Sequence, residues 1–198
     1  MKKTMKIAEL VSKVKVGGST YYLKDGDFPA RVIKHSNVSD AGIIDLASVE
    51  SAMIRNSPRT AENMLEPGDI LISGRSSRPK IALVPEDARN YYFSSEFFAL
   101  TVNTDIISPE ILAAYLSSRP VQEYLTGKSG GRMLSIIAKD DLLGLEITVP
   151  EMKEQNLLTE LTELITEKYA IIEQEKRSLE TLKESLFAEL YPDGGEKC

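Results

Sequence analysis

The chain has 198 residues and 42% hydrophobic content, enough for one domain with an appendage and too apolar for wholesale disorder. A single cysteine, Cys198, excludes an internal disulfide framework, and no run approaches the roughly 20 apolar residues that cross a bilayer. Net charge is −6, yet residues 1–150 carry 18 basic and 18 acidic side chains, so the whole acidic excess lies in 151–198.

The opening segment has early lysines, but Glu9 and Lys13 interrupt it before any signal-peptide core can form, so a cytoplasmic protein is expected. Five short β-like runs follow in the first hundred residues: Ala30–Lys34, 42–46, Asp69–Ser73, Lys80–Val84 and 97–102. Glu66-Pro67-Gly68-Asp69 is a turn signal directly before one of them, and residues 56–59 read as a loop. Ser108 before Pro109 marks a helix start through Ser118. Pro120 opens a second short helix that Gly127 is placed to end. A glycine-rich loop at 128–132, a helical turn at 136–143 and a strand at 145–149 complete the body.

From 151 to 191 no glycine or proline intervenes. Such a helix would run roughly 60 Å at about 1.5 Å per residue, beyond the core of a domain this size. Apolar residues recur at Leu158, Leu161, Ile165, Ile172, Leu179, Leu182, Leu186 and Leu190, and Lys168 and Glu175 fill the two remaining seam positions. This is a heptad seam with two polar breaks. Leu157, Leu164, Tyr169, Ile171 and Phe187 widen it. Residues 192–198 read as a disordered tail.

Enzyme signals are weak. Gly127-Lys128-Ser129 lacks the glycine five residues upstream that a phosphate-binding loop requires, because position 122 is Gln. His35 is the only histidine, which rules out a histidine metal cluster, and it reads most simply as a loop residue. No cofactor or metal is expected. Two local basic stretches stand out in the neutral body: Gly74-Arg75-Ser76-Ser77-Arg78-Pro79-Lys80 and the run from Lys128 and Ser129 through Arg132 to Lys139. A nucleic-acid surface needs local positive potential rather than a basic total. Arginine can grip guanine bidentately, serine can bond either partner, and glycine permits close backbone approach. On composition alone both stretches read more simply as solvated turns.

Three segments bear on that choice: Leu65-Glu66-Pro67-Gly68-Asp69-Ile70-Leu71-Ile72-Ser73; Ile111 to Leu125 with Leu116-Ser117-Ser118 and Gln122; and Asp141-Leu142-Leu143 through Ile147-Thr148-Val149-Pro150 to Glu154-Gln155. In this order and spacing they resemble the specificity subunit of type I restriction–modification systems. The resemblance implies an α/β (α+β), mixed-sheet target-recognition domain over 1–150, followed by a long C-terminal coiled-coil spacer helix over 151–191. It implies a non-catalytic protein whose partners are double-stranded DNA, a methyltransferase subunit and a restriction subunit. Full-length members of that family hold two recognition domains and two spacer helices, whereas this chain carries one of each.

A lone amphipathic helix would leave its stripe wet, so a homodimer through the eight seam residues named above is expected, reading an inverted bipartite site. The expected DNA contacts are Lys34, His35, Asn37, Arg75, Ser76, Ser77, Arg78, Lys80, Lys128, Ser129 and Arg132. The other reading is an interaction or decoy protein that binds methyltransferase subunits through the same helix and reads no DNA.

Overall fold

The structure is a computed structural model that describes residues 3–18, 26–74, 78–127 and 137–190. Its elements in chain order are Lys3–Lys6 (β1), Ile7–Leu10 (α1), Val11–Val16 (β2), Phe28–Ile33 (β3), Ser51–Ile54 (β4), Pro58–Glu62 (α2), Ile70–Ser73 (β5) and Ile81–Leu83 (β6). Tyr92–Phe93 (β7), Phe97–Val102 (β8), Pro109–Ser117 (α3), Arg119–Gly127 (α4), Lys139–Leu143 (α5), Glu146–Val149 (β9) and Met152–Leu190 (α6) follow. The chain divides into two units, residues 1–162 and 163–198, so the opening turns of α6 belong with the first.

The first unit is a mixed α/β body. Its main sheet has the order β2-β8-β5-β6 and is antiparallel throughout. Every residue of β5 is buried, which is why Ile70-Leu71-Ile72 reads as an unbroken apolar run rather than an alternating one. Ile70 and Ile72 join Leu100, α1, α3 and α4 in one core on one face. Leu71 joins Ala99, Phe97, Phe93 and Ile33 in a second core on the other. A three-stranded sheet, β4-β3-β7, flanks this one, with β3 and β7 parallel. The strands β1 and β9 pair antiparallel as a separate ribbon.

The turn before β5 is held by a buried ion pair. Asp69 Oδ2 receives Lys15 Nζ from β2 at 2.6 Å and the Glu66 amide at 2.9 Å, while Oδ1 receives the Thr101 hydroxyl from β8 at 2.7 Å. Lys15 Nζ also donates to the Met64 carbonyl at 2.8 Å. Both ion-pair side chains are essentially sealed from solvent. One carboxylate therefore ties the turn to two strands of the sheet, which gives the Pro-Gly-Asp triplet a structural reason.

Gln155, in the first turn of α6, is likewise buried and fully engaged. Its amide nitrogen donates to the Ile106 and Pro150 carbonyls at 2.9 and 3.1 Å, and its oxygen accepts the Ser108 amide at 3.1 Å. Ser108 in turn caps α3, accepting from the Ile111 amide with Pro109 at the first helical position.

Three local expectations are corrected. Residues 42–46 form no strand, only a single bridge between Val38 and Ile44. Gly42 sits at φ +79° in a turn closed by its amide on the Ser39 carbonyl, and a Cβ there would overlap the Ile81 carbonyl. Residues 56–59 are not wholly loop, because Ser57 caps α2 and Pro58 opens it. Strands β1, β2, β4 and β7 and helix α1 lay outside the expected set. The expected glycine-rich loop at 128–132 and the tail at 192–198 lie outside the described residues.

Candidate nucleic-acid interface

The β5–β6 hairpin carries one basic stretch, and the backbone at its base is fastened on three sides. The Ser73 amide donates to the Lys80 carbonyl at 2.9 Å, and the Lys80 amide returns a bond to the Ser73 hydroxyl at 2.8 Å. Gly74 donates to the Glu96 carbonyl at 2.7 Å and accepts from the Ile137 amide at 3.0 Å. That last bond brings Ile137, which lies within the second basic stretch, against the root of the first.

The 34–38 segment reaches the same place through Lys80. Its ammonium donates to the Val38 carbonyl at 2.5 Å and the His35 carbonyl at 3.3 Å, with Asp40 at 3.8 Å. Asn37 is buried; its side chain caps the Lys34 amide at 2.7 Å and holds Ser48 through two bonds of 3.0 Å. His35 stacks on Phe97 with centroids 6.0 Å apart, and its amide faces the Glu96 carboxylate at 3.4 Å. The Ser94 hydroxyl donates to the same Glu96 oxygen at 3.0 Å. Burial, and then the Lys80 ammonium, push the His35 imidazole below the ordinary histidine value, against weaker pulls from Glu96 and Asp40. Its Nε2 is buried with no hydrogen-bond partner among the described residues.

The expected contact residues thus separate by what they touch. Lys34 stands partly exposed, bonded to Glu50 at 2.8 Å. Arg78 lines an open cleft of about 500 Å³ with Ser117, Arg119, Gln122, Glu123 and Thr126, so the hairpin borders the start of α4. Lys80 and Asn37 spend their polar atoms inside the fold, holding the 34–40 segment. Arg75, Ser76, Ser77, Lys128, Ser129 and Arg132 lie outside the described residues. Sequence reasoning missed Glu96 and Arg119. An acid between a serine pair and two phenylalanines was the only cue to the first, and a basic residue opening a helix the only cue to the second.

All eight expected dimerisation residues are exposed in the single chain, from 39% at Leu158 to 69% at Leu190. Among the described residues, no helix is long and apolar enough to cross a membrane, and no three His, Cys, Asp or Glu stand together as a metal site.

The family profile described as type I restriction modification DNA specificity domain matches residues 3–181. Among solved structures, the HsdS subunit from Thermoanaerobacter tengcongensis superposes with a TM-score of 0.65 at 20% identity, covering 100% of this chain and 51% of that one. A chain solved in work on complex assembly and conformational transition of the type I R-M system gives 0.61 at 18% identity, with coverage of 100% and 51%. The S subunit of a type I restriction–modification system from M. genitalium gives 0.59 at 14% identity, with coverage of 98% and 47%. The chain spans about half the length of these structures. No curated protein matches it.

Proposed function

Because the chain belongs to the family of type I restriction modification DNA specificity domains, we propose that it is a DNA-reading, non-catalytic specificity subunit. It dimerises through α6 and directs a separate methyltransferase, with or without a nuclease, to a bipartite inverted site. In this reading residues 1–150 read DNA and residues 151–191 pair. The observation that carries it is the convergence of the 34–38 segment, the β5–β6 hairpin and Ile137 of the second basic stretch at one end of the main sheet. Lys34, Arg75, Ser76, Ser77, Arg78, Lys128, Ser129 and Arg132 face the DNA, while Lys80, Asn37 and His35 set the position of the loops. The neutral body supplies few phosphate contacts, so binding by the subunit alone is weak.

Reversing the charge of Arg75, Arg78 and Arg132 together tests the assignment. Loss of about 100-fold or more in sequence-specific binding by the assembled complex is expected, given roughly 1–3 kcal/mol per bidentate base contact. Unchanged target choice would remove these residues from the interface. Methylation mapping with and without the chain separates this reading from a partner-binding protein that reads no sequence.

A further inference from the structure

Among the described residues, two buried side-chain atoms lack a hydrogen-bond partner: His35 Nε2 and Gln122 Oε1. Both belong to residues beside the β5–β6 hairpin. His35 is tied to it by Lys80, and Gln122 lines the open cleft to which the hairpin contributes Arg78. A buried acceptor left without a donor is costly, so its place in the fold asks for a reason.

The Gln122 amide cannot turn over to relieve itself. Its Nε2 donates to the Leu116 carbonyl at 2.9 Å, near the end of α3, and the reverse orientation would set oxygen against oxygen. The main chain is held as well, with the Gln122 amide on the Ser118 carbonyl at 3.0 Å. Only 9% of the residue is exposed. The acceptor is therefore fixed in orientation, and a donor has to be brought to it.

The groups around the cleft narrow the choice of donor. The Thr126 hydroxyl is spent on the Gln122 and Glu123 carbonyls at 2.8 and 3.2 Å, and Arg119 Nε is held by Glu123 at 2.7 Å. Arg78 brings a guanidinium on a long, exposed side chain. Its main chain stands beside an anchor, because Pro79 is buried and Lys80 bonds Ser73 through both its amide and its carbonyl. That anchor sets where the side chain starts and leaves the plane of the guanidinium to be set elsewhere.

Resting on the DNA reading above, we propose that Gln122 is the positioning residue for Arg78: while Arg78 contacts a base edge, its guanidinium also donates to Gln122 Oε1. An arginine has five N–H groups, and two of them satisfy the O6 and N7 of a guanine in the major groove. A third is left for the glutamine. Holding the guanidinium plane in this way restricts its rotamers to those that match the base, and it gives the buried acceptor its donor. Helix α4 thus acts on target choice without touching a base through Gln122. The target carries a guanine at the position that Arg78 reads.

The test uses the full chain assembled with its methyltransferase partner. Methylation mapping defines the target, and duplexes with each base replaced in turn give the preference at every position. R78A should lose about 30-fold in preference at a single guanine position. Gln122→Met, of similar length and without the acceptor, should lose about tenfold at that same position and leave the others unchanged. Gln122→Lys, which keeps a donor for the Leu116 carbonyl, should reproduce that loss. In the R78A background neither change at 122 should alter the preference further, whereas a general loosening of the α3–α4 corner would act at all positions in both backgrounds. S117A should keep the parent's preference. Variants at 122 that leave the preference intact, act equally in both backgrounds, or are matched by S117A overturn the role of Gln122 while the DNA reading stands. An R78A complex of unchanged preference overturns the placement of Arg78 on DNA, on which the inference rests.

Discussion

Replacing Asp69 by asparagine keeps the shape of the side chain and removes its charge, which isolates the buried ion pair from any cavity effect. In the native fold this carboxylate accepts three hydrogen bonds, from Lys15 at 2.6 Å, Thr101 at 2.7 Å and the Glu66 amide at 2.9 Å. D69N leaves the Lys15 ammonium in the interior with no opposite charge, facing only neutral acceptors such as the Met64 carbonyl. Breaking a buried pair on one side costs about 3–5 kcal/mol. Against a typical stability of roughly 5–15 kcal/mol, that is a large fraction of the whole. K15M should cost less, because the carboxylate keeps the Glu66 and Thr101 donors. The double variant should be milder than the sum of the two by about 2 kcal/mol or more, since neither charge is then stranded. Urea titrations of the four proteins, followed by circular dichroism, measure each term. A D69N protein within about 1 kcal/mol of the parent, or an additive cycle, would refute the scaffold role. A D69N protein that folds normally yet loses DNA binding would move Asp69 into the reading surface.

Other consequences can be checked on the same preparations. Gln155→Leu removes three hydrogen bonds worth about 1 kcal/mol each, so the melting temperature should fall by roughly 5–10 °C; an unchanged value would mean that Gln155 does not fasten the start of α6. Gly42→Ala adds a Cβ against the Ile81 carbonyl at a positive φ, and its loss of stability should exceed the roughly 1–2 kcal/mol of the backbone conformation alone. The His35 imidazole resists protonation in the fold, so the unfolded chain binds the extra proton between the ordinary value of 6.5 and the lower folded one. Stability should be full above that window and fall as pH drops through it, while His35→Phe should flatten the slope in thermal melts from pH 5 to 8.

Much of the fold was legible where the signal was local. The turn before Ile70, the Ser108–Pro109 helix start and the uninterrupted run to Leu190 each rest on neighbouring residues, and each stands where expected. What escaped notice depends on distant partners. Lys3–Lys6 has no strand pattern of its own and becomes one because Glu146–Val149 pairs with it. Ser57–Pro58 repeats the start signal seen at Ser108–Pro109, but the segment it opens is too short to show helical periodicity. At the candidate site, sequence pointed to the basic side chains but could not distinguish those that hold the loop from those that border open solvent. Lys80 and Arg78 are two residues apart, yet one ends on backbone carbonyls and the other borders an open cleft.

The way the β5–β6 hairpin is fastened bears on how such a protein can change over generations. Its base is tied by the main-chain groups of Ser73, Gly74 and Lys80 and by one serine hydroxyl. Those bonds use none of the side chains at 75–78. Substitutions there can accumulate singly, and each intermediate keeps the same anchored frame. If the hairpin reads DNA as proposed above, a lineage can explore new targets by small steps, without passing through sequences that fail to fold.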